Sequence, residues 1–212
     1  TPFVVRGKHA PVPKGGCLIL NGDQPLADLD DQLDEVEFPR SKNVHVEPNW
    51  NLGYYAQFQK LMKQREPKLV IIDSLIGCSG GRAFDENKSD FASPLYWLTR
   101  NNGSLFPRTT ILIIHHANKQ GGFRGTSAIR DAVTETWRLA EPTDKQVEEG
   151  IAPRHSRIIH VEKSRSGRSG TALIMRQESD LTFSIADFTA EIDSTNTSPS
   201  GISERVLSRV RA

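Results

Sequence analysis

The sequence predicts an α/β fold, a mostly parallel sheet flanked by helices with an antiparallel extension at its carboxyl-terminal edge. Three observations carry this. Short continuous Val/Ile/Leu runs at Gly16–Leu20, Leu69–Asp73 and Thr110–Ile114 read as strands covered on both faces. Stretches with helical spacing of apolar residues lie between them, which favours right-handed crossovers. Beyond residue 157 three strand-like runs follow one another with short turns and little room for helices.

Each element has its local reason. Gly16–Leu20 ends at a turn cluster, Asn21-Gly22-Asp23-Gln24-Pro25. Ala27–Val36 carries Leu29, Leu33 and Val36 at spacings of three and four, as a helix requires. Asn43–Val46 is a second, weaker strand. Gly53–Gln64 places Tyr55, Phe58, Leu61 and Met62 on one helical side. Phe91–Thr99 repeats the pattern with Phe91, Leu95 and Leu98, and Pro94 belongs in its first turn or kinks it. Thr126 or Ser127 caps a short helix over Ala128–Val133. Arg157–Val161, Ala172–Met175 and Leu181–Ile185 supply the antiparallel strands. The Ser/Thr/Asn/Pro-rich stretch from Glu191 to Gly201 is a linker by composition. Ile202–Val210 has the look of a helix beginning. The expected organisation is a core over 1–190, a linker over 191–201 and, from 202 to 212, the start of a further helical domain, with a winged helix as one form; a simple terminal helix is the alternative.

Composition sets limits. The chain has 212 residues and a net charge of +1, which excludes an overall basic coat for nucleic acid and an acidic solvating tail, so any nucleic-acid surface is local. Two cysteines, Cys17 and Cys78, are too few for a disulfide framework or a four-cysteine zinc site and fit a reducing, cytoplasmic setting. No apolar run approaches the roughly 20 residues of a membrane span, so no membrane partner is expected.

Several motifs can carry chemistry. Leu69–Ser74 (LVIIDS) is a strand ending in a carboxylate, the arrangement that places an acid beside phosphate-bound Mg²⁺ in nucleoside triphosphatases; a plain strand ending before a turn is the alternative. Ile111–Lys119 (ILIIHHANK) is a second strand with a polar tip. His115 and His116 are adjacent and alternate sides, so they do not chelate one metal; one of them beside the acid-bearing strand can contact a terminal phosphate, or serve structure alone. The following Gly121, Gly122, Phe123 and Arg124 form a glycine-rich loop with one ring to stack on a base and one cation for a phosphate backbone, unless it is merely a flexible connection. The segment from Arg154 to Gly170 holds Arg154, Arg157, Lys163, Arg165 and Arg168 against one acid, Glu162. Lys163-Ser164-Arg165 sits where a strand turns over, as an arginine finger does, or as a solvated basic turn does. Gly77-Cys78-Ser79-Gly80-Gly81 matches the G-x-S-x-G elbow of serine hydrolases, but Ser74-Leu75-Ile76 separate it from its strand and a polar loop follows it. The phosphate-binding pattern G-x-x-x-x-G-K-[ST] is absent: the only Gly-Lys, Gly7-Lys8, is followed by His9.

These pieces, in this order, resemble the RecA-like ATPases of the hexameric replicative helicase group, and in particular the RepA/DnaB-type domains of plasmids, phages and mobile elements. The likeness runs over roughly Gly7 to Ile185. It implies ATP and Mg²⁺ as cofactors, a homo-oligomer, a hexamer in that group, and single-stranded DNA as partner. Carried onto this sequence, Asp73 is the Mg²⁺ acid and, with Ser74, part of the nucleotide site. His116 or His115 senses the terminal phosphate. Lys119, Gly121, Gly122, Phe123 and Arg124 face DNA or a neighbouring subunit. Lys163 and Arg165 serve an adjacent protomer's ATP. The family's water-polarising Glu has Asp23 at the matching place, one methylene shorter. In that group the phosphate loop lies one strand and one helix before the segment containing Gly7. The expectation is therefore a window on a longer protein, with a non-hydrolysing DNA-binding or assembly module and an esterase built on Ser79 as the alternatives.

Overall fold

The computed structural model describes residues 3–5, 8–10, 14–35, 38, 42–80, 85–106, 109–118, 122–165, 167–177 and 183–190. In chain order the first elements are strands β1 (Phe3–Val5), β2 (Lys8–Ala10) and β3 (Cys17–Asn21), helix α1 (Leu26–Glu35), strand β4 (Val44–Pro48), helix α2 (Tyr55–Arg65) and strand β5 (Leu69–Asp73). There follow helix α3 (Ser93–Leu105), strand β6 (Thr110–Ile113), helix α4 (Ser127–Ala132), strand β7 (Glu135–Ala140), helix α5 (Asp144–Glu148), and strands β8 (Ser156–Ser164), β9 (Thr171–Gln177) and β10 (Phe183–Ala190). The chain divides into two compact units, Pro11–Val133, and Thr134–Ala212 together with Thr1–Ala10. The expected linker and further domain at 191–212 lie outside the described residues.

The Pro11–Val133 unit is built on a four-stranded parallel sheet in the order β4-β3-β5-β6. Leu18, Leu20, Val70 and Ile72 are fully buried, the alternate positions of its two central strands. Phe58 and Met62 of α2 and Leu95 and Leu98 of α3 join the same core. Phe58 is its aromatic hub, with the rings of Trp50, Trp97 and Phe106 each about 6 Å away. Helix α2 stops because Glu66 turns left-handed (φ 45°), where its N–H bonds the Met62 carbonyl, and Pro67 cannot continue a helix. Pro94 sits in the first turn of α3, where its missing N–H costs nothing, after a 3-10 turn over Ser89–Ala92. Thr126 caps α4 by accepting the Ala128 N–H.

Strand β6 departs from expectation in its surroundings. Its run of Ile and Leu reads as buried on both faces, yet among the described residues β5 is its only ladder partner and Leu112 and Ile114 are 42% and 37% exposed. Ile111 and Ile113 pack on the core.

The other unit contains the expected antiparallel strands, but they form a sheet of their own in the order β10-β9-β8-β7. Its fourth strand, β7, was not foreseen, because Glu135–Ala140 alternates polar and apolar residues over only six positions. Helix α5 was also not foreseen; a capping box between Thr143 and Gln146 starts it.

Replacing Phe58 by Ala removes the aromatic hub and leaves a cavity. The expected loss is about 3–5 kcal/mol of stability, read from denaturant unfolding. A loss below about 1 kcal/mol would contradict this packing.

Candidate functional site

The parallel register brings three polar strand ends to one edge of the sheet. Asn21 pairs with Asp73 across β3 and β5, and the Ile114 N–H donates to the Ile72 carbonyl, so the residues after β3, β5 and β6 emerge side by side. Ligands of open α/β sheets bind at this carboxyl end.

After β3 the chain turns on Asn21, which is buried. Its Oδ1 accepts the N–H groups of Asp23 and Gln24, and its Nδ2 donates to the Gln24 carbonyl, fixing the turn that presents Asp23. After β5 the Asp73–Ser74 peptide is cis. Ser74 is buried and its hydroxyl donates to Asp23 Oδ1 at 2.9 Å, while accepting the Gly77 N–H. The two turns touch through backbone. The Gly22 N–H donates to the Asp73 carbonyl. A Cβ on Gly22 would lie 2.7 Å from the Gly77 carbonyl carbon, and one on Gly77 2.6 Å from the Gly22 oxygen.

Beyond β6 the two histidines diverge, as their adjacency predicts. His116 Nε2 lies 3.7 Å from Asp23 Oδ2 and its side chain is more than half exposed. His115 turns away: its Nε2 donates to the Arg124 carbonyl at 2.8 Å and its ring meets Phe123 edge-on. His116 is therefore the histidine at the carboxylates.

The electrostatics mark an excess of negative charge. Burial, and then the Asp23 carboxylate, raise the pKa of Asp73 above the ordinary range, with His116 acting in the opposite direction. The buried Cys78 thiol reports the same field: burial, then Asp73 and Asp23, push it up to about 12, so it stays protonated at neutral pH. Two carboxylates that share unrelieved charge are a donor set suited to a hard divalent cation. Among the described residues no group of three or more His, Cys, Asp or Glu could hold a metal, so a cation here needs further oxygen ligands from phosphate and water.

The loop after β6 is latched within 122–126. Arg124 Nε pairs with Glu86 Oε1 at 2.6 Å, and the Thr126 N–H donates to the Glu86 carbonyl. Gly125, at φ 87°, lets the backbone pass: a Cβ there would sit 2.8 Å from that carbonyl oxygen. Phe123 packs against the core with the Arg130 guanidinium 5.5 Å from its ring. Both side chains thus have internal partners, and Gly122 closes a turn on Asn118. Lys119 and Gly121 lie outside the described residues. Glu86 was missed because an acid in a polar loop carries no local signature of a partner 38 positions away.

Ser79 is not a nucleophile elbow. It is 2% exposed, lies in a 3-10 turn over Gly77–Ser79 and donates to the Ile76 carbonyl. The glycines of that motif serve close packing instead, Gly77 against Gly22, and Gly80 at φ 76°.

Lys163 and Arg165 belong to the other unit, at the end of β8 and the turn after it. Glu135 organises that turn by accepting the Ser164 hydroxyl and pairing with Arg168, while the Arg165 N–H donates to the Thr134 carbonyl. Lys163 is half-buried and Arg165 exposed.

No protein-family model matches the chain, and no curated protein matches it in sequence. Among solved structures it is similar to the KaiC-like protein PH0186 of the hyperthermophilic archaeon Pyrococcus horikoshii, with a TM-score of 0.58 at 12% identity over 82% of this chain and 76% of that one. This likeness supports a RecA-like fold and does not reach the helicase group. No helix among the described residues is long and apolar enough to cross a membrane.

Two outcomes are expected. The folded chain holds the Asp73 proton more tightly than the unfolded chain, so stability tied to this group is greatest in acid and falls as pH rises from about 4 through the raised value. Asp73→Asn should therefore raise the unfolding temperature at pH 7 and narrow its advantage at pH 4; a lower value at pH 7 would count against excess negative charge. Glu86→Gln should release the loop and speed tryptic cleavage after Arg124 several-fold, and an unchanged rate would rule out the latch.

Proposed function

We propose that the Pro11–Val133 unit is the carboxylate side of an ATP site in a RecA-like ATPase, and that the protein bearing it is an oligomeric motor moving on single-stranded DNA. The observation carrying this reading is the juxtaposition of Asp73 and Asp23 at neighbouring tips of a parallel sheet, with His116 alongside. Bound Mg²⁺ would neutralise charge on the phosphates. Asp73 would hold the water shell of that cation. Asp23, aimed by Ser74 and by the Asn21 turn, would accept the proton of the attacking water, and His116 would contact the terminal phosphate. Lys163 and Arg165 would act on the nucleotide of an adjacent protomer.

The pattern G-x-x-x-x-G-K-[ST] does not occur in this sequence, so on this reading the phosphate cradle would be supplied by another segment. The exposed Leu112 and Ile114 at β6 favour this, since apolar side chains on such a strand suit a covering helix. A second reading, a module that binds nucleotide or DNA without hydrolysis, draws on Asp23 being shorter than the usual Glu.

The test uses a protein that joins this sequence to a phosphate-binding segment. It should hydrolyse ATP only with Mg²⁺, and Asp73→Asn should lower turnover by on the order of 100-fold or more. Arg165→Ala should abolish turnover and spare ATP binding. Turnover of the Asp73→Asn variant within about twofold of wild type would overturn the site; binding without turnover in the wild type would select the second reading. Affinity for single-stranded DNA should fall with added salt.

A further inference from the structure

The antiparallel sheet is apolar on both faces. One face is closed, with Ile158, Ala172 and Ile174 no more than 1% exposed and packed with Ala152. On the other, alternation and register gather Trp137 and Leu139 of β7, Ile159 and Val161 of β8, and Leu173 and Met175 of β9 into one row. The last four are half-buried, and Trp137 and Leu139 are 57% and 62% exposed. The indole N–H of Trp137 already donates to Glu135 Oε2, so what its ring leaves open is apolar. A sheet face of this composition calls for another element to cover it. Trp137 brings the row's one ring, whereas a platform for single-stranded nucleic acid offers rings to successive bases.

The same unit carries a complementary element in its sequence. Ile202-Ser203-Glu204-Arg205-Val206-Leu207-Ser208-Arg209-Val210 lies outside the described residues. At about 100° per residue on a helix, Ile202, Val206, Leu207 and Val210 fall within roughly 140° of one another, and Glu204, Arg205, Ser208 and Arg209 take the rest of the circumference. A helix so short is marginal alone in water and depends on packing its apolar side against a partner. The dimensions match. Residues 202–210 as a helix span roughly 13 Å, and the row over β7, β8 and β9 is two strand spacings wide, roughly 10 Å. The stretch 191–201 that follows β10 reaches roughly 35 Å when extended, well past the far edge of the sheet at β7. A short tether holds the segment at an effective concentration in the millimolar range, which favours it over a free partner of equal affinity. We propose that the segment Ile202–Val210 covers the row centred on Trp137 and Leu139 as an amphipathic helix. This goes beyond the nucleotide reading and does not depend on it.

The test is acrylamide quenching of tryptophan fluorescence in the full chain, with the share of Trp137 taken as the difference from a Trp137→Phe variant. In wild type that share should be quenched as weakly as a buried indole, at every protein concentration and without nucleic acid. Val206→Asp and Leu207→Asp, on the apolar side of the helix, should each raise its quenching several-fold. Ser208→Asp, on the opposite side, should leave it unchanged. The wild-type measurement alone keeps the proposal falsifiable if a variant fails to fold. A readily quenched Trp137 in wild type would overturn the proposal. So would protection that sets in only as protein concentration rises, meaning a second copy, or only with added oligothymidylate, meaning nucleic acid. Quenching in Val206→Asp and Leu207→Asp equal to wild type, or a rise in Ser208→Asp equal to theirs, would overturn it as well.

Discussion

Asn21 and Asp73 face each other across the β3–β5 ladder, and the Gly22 N–H closes on the Asp73 carbonyl just beyond it. The chemistry of the Pro11–Val133 unit depends on this register. A strand slipped by one residue turns every side chain to the opposite face. Here it would bury Asp73 in place of Ile72, or bring the tip of β3 out of line with Ser74. The buried alternation of Leu18, Leu20, Val70 and Ile72 makes such a slip costly, so the hydrophobic core itself positions the acids.

The consequence is a site whose charge is left unrelieved by the protein. Ser74 and the Asn21 turn orient Asp23 by hydrogen bonds, and none of these groups brings a permanent positive charge. His116 answers the carboxylates only when protonated, and across 3.7 Å. Arg124, the first arginine after β6, is held by Glu86. The fold thus concentrates negative potential at one strand edge, which suits a ligand that arrives with its own cation.

What could be read in the sequence followed from the range of the interactions. Leu69–Asp73 was legible to the residue, because an apolar run ended by a carboxylate is a local signal. The choice between His115 and His116 was not legible. It depends on where the Arg124 carbonyl and the Asp23 carboxylate stand, and both are set by tertiary structure. The motif at Gly77–Gly81 was set apart from a nucleophile turn by its flanking residues, but the role of its first glycine was not legible: backbone contact with Gly22 leaves no mark in the sequence. Strand β7 escaped because two of its three apolar residues, Trp137 and Leu139, are exposed, which blurs the contrast on which strand recognition rests.

The Gly22–Gly77 approach has a consequence for how such a site can diversify. The distance between the turn carrying Asp23 and the turn carrying Ser74 is set by two missing methyl groups, with backbone atoms filling the space on each side. Neither position has a conservative substitute, since the smallest side chain already collides. Variation in this neighbourhood is channelled into the functional groups at 23, 74 and 116, which can be exchanged on a fixed chassis. A lineage descending from this chain would then change its chemistry more readily than its geometry.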